Sequence, residues 1–299
     1  MGTPSMRSRS LLLICLAGAL AGAGPGPSAP PAALAAPAPT SVLAVEDTMH
    51  TEVPEVLVKA PRVTLAEILD RVAAGEARRD SLVNDQSYLL TVRMVGHAND
   101  GKTPKLIEET VSRVYQRRPK QTRRIELRHW KAKPPKKSEP RADVNVEVDG
   151  DMSEDIANFA FQPSGRRNFK FRIAGREFLG DHVVYRLAFE PRSALDVYEP
   201  SGEVWVDTRD YVIIRQEISF RQSPVPMFLR GIDRMVVERQ QVGGHWVLGR
   251  VLARIRLTIP FPQYGTSIDF AIQFTDYTLN TGLADSLFNS PASKKVSVQ

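Results

Sequence analysis

Alternation of apolar and polar positions dominates the chain. Between Gly202 and Phe220 the segment GEVWVDTRDYVIIRQEISF sets β-branched and aromatic residues in two arms around the polar Asp207-Thr-Arg-Asp210, which predicts a hairpin. In its second arm Val212, Ile214, Ile218 and Phe220 fall on one side and Tyr211, Arg215, Glu217 and Ser219 on the other, so the sheet has one dry face. Further runs of strand character are Tyr88–Val95, Glu109–Gln116, Thr122–Trp130, Val144–Val148, Phe169–Ile173, His182–Phe189, Arg234–Gln240, Trp246–Ile259 and Ile268–Leu279. Asn-Asp-Gly after His97 and Gly243-Gly244 mark turns between them. Helices are few. Thr64 caps one in which Leu65, Ile68, Leu69 and Val72 recur at helical spacing, with Glu67 completing a capping box. Ser153–Phe161 is a second, short one with Ile156, Phe159 and Ala160 on one side. Strands in consecutive order with few helices predict an α+β, mainly antiparallel fold built as one meander.

The N-terminus changes the picture of where the chain works. Arg7 and Arg9 precede an apolar run, Leu11–Gly24, followed by small residues and prolines, the pattern of a cleaved export signal within 1–35. A Pro/Ala-rich lead-in then occupies 36–62, one domain 63–288, and a disordered tail 289–299. Cys15, the one cysteine, lies inside the signal, which excludes disulfides and thiol chemistry from the mature chain. The net charge of +6 is too small to imply nucleic acid.

In chain order, the helix after the leader, Val114-Tyr-Gln-Arg-Arg118-Pro119 with Arg124-Ile-Glu126 after it, Val148-Asp-Gly150, Val204-Trp-Val-Asp207, and Phe274-Thr-Asp-Tyr277 through Asn280 to Leu287-Phe288 resemble the LolA/LolB-like family of periplasmic lipoprotein carriers, with its outer-membrane lipoprotein-sorting relatives. The resemblance implies a curved, unclosed antiparallel half-barrel with helices over a concave apolar face that holds acyl chains. It also implies that Arg118, in the Arg-Pro pair, contacts the covering helices as the lid closes. The Lys131–Arg141 loop is longer and more basic than that pattern leads one to expect, and the Val42–Arg62 extension has no counterpart in it.

The candidate lipid-binding residues follow from both readings. Ile268, Phe270, Ile272 and Phe274 alternate with polar neighbours and face what the sheet buries, as do Ile214 and Ile218. Met227, Phe228 and Leu229, in the apolar loop Pro224–Leu229, fold back as a lid, meet a partner, or plug the barrel end; Ile156 and Phe159 are core filler or lid. Ten Lys and Arg between Arg117 and Lys137 form either a solvated face or a surface for anionic head groups. Five dispersed histidines, no Gly-x-Ser-x-Gly and no phosphate-binding glycine loop argue against an enzyme, and no cofactor or metal site is expected. The expected function is a periplasmic, non-catalytic carrier or chaperone for lipid or lipoprotein acyl chains. The alternative is a sensor or interaction module on the same fold with an envelope membrane-protein partner.

Overall fold

The computed structural model describes residues 63–97, 104–132, 160–223, 229–261 and 265–289, with strand backbone also at Leu16–Gly18 and Asp143–Val144. The Val144–Val148 strand and the Ser153–Phe161 helix expected from the pattern lie largely outside these residues, as does most of the apolar loop. Helix α1, Leu65–Leu82, starts at the predicted cap, with the Glu67 N–H donating to Thr64 Oγ1 at 3.2 Å. The return half of a capping box is replaced, because the Glu67 carboxylate accepts from Arg71 one turn further on.

Ten strands follow: β1 (Asp85–His97), β2 (Pro104–Arg117), β3 (Gln121–Lys131), β4 (Phe169–Leu179), β5 (His182–Pro191), β6 (Pro200–Asp207), β7 (Ile213–Phe220), β8 (Leu229–Val242), β9 (His245–Phe261) and β10 (Gly265–Leu279). A short helix, α2 (Asp285–Asn289), ends the described chain. Every neighbouring pair is antiparallel and the sheet order is β3-β2-β1-β10-β9-β8-β7-β6-β5-β4. The sheet is curved and open, with β3 and β4 as its edges, which is the half-barrel expected. It is not one consecutive meander. The first strand pairs with the last in mid-sheet, and the sequence neighbours β3 and β4 stand at opposite edges.

Directly paired residues share a face, so the register draws complete cross-sections of the sheet. One runs from β3 to β4 as His129, Thr110, Val92, Ile272, Val251, Val237, Gln216, Val204, Leu187 and Ile173. The next runs as Lys131, Glu108, Met94, Phe270, Ala253, Met235, Ile218, Gly202, Phe189 and Phe171. Both rows are polar on β3 and β2 and turn apolar from β1 onward, with Gln216 the one polar residue in that stretch. The opposite face is laced with ion pairs around a smaller apolar cluster that includes Val184 and Trp205. Arg215 bridges Glu217 and Glu238, Arg250 joins Glu238, Arg254 pairs with Asp269, and Arg93 and Arg128 flank Glu109.

Local chemistry explains the tightest turn. Asp207 closes the β6–β7 hairpin by accepting the Arg209 and Asp210 N–H groups at 2.9 Å on one carboxylate oxygen, while the other lies 3.1 Å from His182 Nδ1. Tyr211 then takes the left-handed region at φ 55°, which re-aims the chain into β7. Further along the same pair of strands, a Cβ at Gly202 would stand 1.9 Å from the Glu217 carbonyl oxygen. Gly202→Ala is therefore expected to destabilise the fold by about 3 kcal/mol or more, read as a fall in the urea midpoint. A neutral result would show that β6 and β7 separate without cost.

Candidate functional site

The apolar face needs a cover, and the described residues supply two pieces. Helix α1 buries Ile68, Leu69, Val72, Gly75, Glu76 and Arg79, of which three have apolar side chains of any size. The link from β3 to β4 supplies the second: its described end buries Ala160 and Phe161, with the Phe161 ring 5.2 Å from Phe171 and 5.7 Å from Phe189 between centroids. An 18-residue helix is about 27 Å long and about 10 Å across, while nine strand spacings make the sheet about 43 Å around its curve.

Polar contacts fix where α1 lies. Arg239 on β8, with a side chain 1% exposed, donates through Nη1 to Glu76 Oε1 at 2.7 Å and to the Ile213 carbonyl at 2.6 Å. Glu76 Oε1 also accepts the Ile213 N–H at 2.7 Å, and Arg79 lies 3.2 Å from Oε2. Burial pushes the Glu76 carboxyl up, but Arg239 first and then Arg79 outweigh it and hold the group below its ordinary value of 4.5. Around this centre Arg71 donates to the Tyr211 hydroxyl at 2.9 Å, Arg78 to the Asp210 carbonyl at 2.8 Å, and Arg166 to Asp70 at 2.6 Å and the Leu69 carbonyl at 2.7 Å. The helix comes so close to the hairpin that a Cβ on Gly75 would stand 2.5 Å from the Tyr211 carbonyl oxygen.

The predicted site residues divide on this frame. Ile218, Ile268, Phe270, Ile272 and Phe274 all lie on the covered face; Ile268 is fully buried and Ile272 is half-buried. Ala253, diagonal to Ile272 in the adjacent row, is half-buried too, so in mid-sheet the cover is thin there, as it is at the β4 edge, where Ile173 is exposed. Ile214 is elsewhere. The β6–β7 register shifts between Trp205 and Val206, leaving Ile214 as the extra residue of a bulge. It packs in a smaller cluster with Val184, Trp205, Val212 and Trp246 instead of beside Ile218. Leu229 is a strand residue rather than a loop residue, buried and paired with Leu257. Met227, Phe228, Ile156 and Phe159 lie outside the described residues.

Arg118 does not bond to α1. Its N–H donates to the Asn84 carbonyl at 3.0 Å, and its side chain is exposed in a cleft of about 390 Å³ with Arg79, Asp80 and Val83 at the helix C-terminus. The cation that holds the helix is Arg239. A signal for it was present in the sequence. Glu76 continues the helical stripe of Ile68, Leu69 and Val72, and Arg239 continues the strand alternation of Met235 and Val237, so two opposite charges occupy apolar positions.

No protein-family model matches the chain, and no curated protein matches it. Among solved structures it is similar to a domain from Vibrio parahaemolyticus described as an outer membrane lipoprotein-sorting protein, at 13% identity over 74% of this chain and 95% of that one, with a TM-score of 0.38. A DUF1329 family protein from Desulfovibrio piger matches at 13% identity over 74% and 97%, with a TM-score of 0.32. A LolA superfamily protein from Nitrosomonas europaea matches at 14% identity over 76% and 98%, with a TM-score of 0.30. The LolA superfamily, which the sequence resembles, is represented among them.

Removing the charge of Glu76 leaves Arg239 buried and unbalanced, so Glu76→Gln is expected to cost about 3–5 kcal/mol at neutral pH, measured by chemical denaturation. Because the folded-state value of this carboxyl is depressed, its contribution is complete above the unfolded value near 4.5 and is lost as pH falls through the lower folded value. The stability curves of the variant and the natural chain should therefore converge in acid. Parallel curves would place the pair outside the stability balance.

Proposed function

We propose that this chain is an exported, non-enzymatic envelope protein that holds the acyl chains of a lipid or lipoprotein on the covered face of its sheet, as a carrier or chaperone. The observation that carries the reading is the mismatch, among the described residues, between the face and its cover. Apolar side chains continue from β1 to β4 in both cross-sections, whereas α1 brings three sizeable apolar residues and is about 27 Å long against a sheet of about 43 Å. The opposite face carries the charge ladders, so the continuous apolar rows lie on the covered side. Each methylene buried there contributes about 0.8 kcal/mol, so a chain of ordinary length is held by shape and area with no specific anchor.

In this reading Ile218, Phe270, Ile272 and Phe274 meet the hydrocarbon around the thinly covered point, with Ile268 and Leu229 forming the floor at one end. Ile156, Phe159, Met227 and Phe228 complete the cover. The link that carries Ile156 and Phe159 joins opposite edges of the sheet, and its described end already packs on this face, which supports that role. Ligand and cover compete for the same surface, so binding shifts the cover between two positions.

Protein purified under non-denaturing conditions is expected to carry acyl chains visible by native mass spectrometry, and delipidated protein to regain them from a fatty acid. Failure of both would sink the reading. Ile272→Gln places an amide at the thin point and is expected to lower acyl affinity on the order of tenfold with the denaturation midpoint little changed. Gly75→Ala separates helix propensity from docking. Propensity alone favours alanine by about 1 kcal/mol, but the new Cβ meets the hairpin backbone, so the variant should be less stable and should bind more of a fluorescent apolar dye. A stability gain would mean that α1 rides free of the hairpin.

A further inference from the structure

An acyl-binding face has no need of the polar ends of the two cross-sections. On β2 and β3 the covered face carries Thr110 and Glu108 against His129 and Lys131, and one step along, Ser112 against Glu126. These positions directly abut Val92 and Met94, where the apolar surface begins. Glu108 Oε1 is bonded to His129 Nε2 at 2.8 Å, and His129 Nδ1 lies 3.9 Å from Glu126. Glu108 Oε2 is buried and accepts no hydrogen bond; its neighbouring charge is Lys131 Nζ, 4.0 Å away and beyond bonding distance. A carboxylate oxygen in that position lacks a donor, and both signs of charge sit within one patch.

We propose that this patch is a head-group subsite for a zwitterionic amphiphile of the phosphoethanolamine class; the proposal rests on the acyl-binding reading above. The ligand ammonium donates to Glu108 Oε2. Lys131, 43% exposed and so free to swing, leaves that oxygen and meets the phosphate with His129 beside it. The hydrocarbon then runs from Val92 and Met94 across β10 and β9. A purely anionic head would meet Lys131 and His129 but bring no donor to Glu108 Oε2 and add repulsion from Glu108 and Glu126, and an uncharged head would leave Glu108 Oε2 as it is. The subsite therefore selects among amphiphiles with the same tails.

The test uses the delipidated full chain and a fluorescent fatty acid as reporter, displaced by dioctanoyl phosphatidylethanolamine, dioctanoyl phosphatidylglycerol or uncharged dioctanoylglycerol. The zwitterionic competitor is expected to act at a concentration on the order of tenfold lower than the other two. Glu108→Gln should abolish that advantage while leaving displacement by dioctanoylglycerol unchanged, and Lys131→Met, on an exposed side chain, should reduce it in a protein of unchanged melting temperature. Equal displacement by all three, a preference for phosphatidylglycerol, or an advantage that survives both substitutions overturns the subsite and leaves the acyl reading standing. If the reporter does not bind at all, the acyl reading fails and the subsite falls with it.

Discussion

A sheet of ten antiparallel strands that does not close on itself keeps one apolar face that nothing in the strands can satisfy. A closed barrel would fill its interior from opposite walls, and a sandwich would set a second sheet about 10 Å away. Here β3 and β4 are the edges of the sheet among the described residues, so the face from Met94 to Phe171 depends on whatever is laid over it. Placement of α1, burial of Phe161 and the charge ladders on the outer side all answer that one requirement. The half-buried Ile272 and Ala253 mark where the answer is incomplete.

The register of the helix on the sheet is set by polar contacts. A buried ion pair is a weak source of net stability, since desolvating Glu76 and Arg239 offsets much of their attraction. It is a strong source of position, because a carboxylate that also accepts the Ile213 N–H fits one register of helix over hairpin. Gly75 adds the steric half of the same specification.

Strand identity was readable because period-two alternation is a local property, and the predicted hairpin at Asp207 followed from turn chemistry. Three things were not readable locally. The bulge at Ile214 depends on pairing with Trp205 and Val206, and one inserted residue is enough to remove it from the face of Ile218. Leu229 looked like a loop residue because Pro224 and Pro226 precede it, yet its partner Leu257 makes it a strand. The Arg118-Pro119 pair stands at the helix C-terminus, in a cleft with Arg79, Asp80 and Val83, while the cation buried against the helix is Arg239. Glu76 and Arg239 lie far apart in sequence, and each alone reads as an ordinary surface charge until its position in the apolar pattern is counted.

The strand order also dictates when the fold can be completed. Asp85–His97 finds its mid-sheet neighbour only in Gly265–Leu279, so the three-strand ribbon at the N-terminal end waits for nearly the whole polypeptide to be made. Contacts so distant along the chain form slowly. Meanwhile the backbone groups of that waiting ribbon remain open to other extended segments. The seam between the first and last strands is thus the pairing with the greatest separation along the chain.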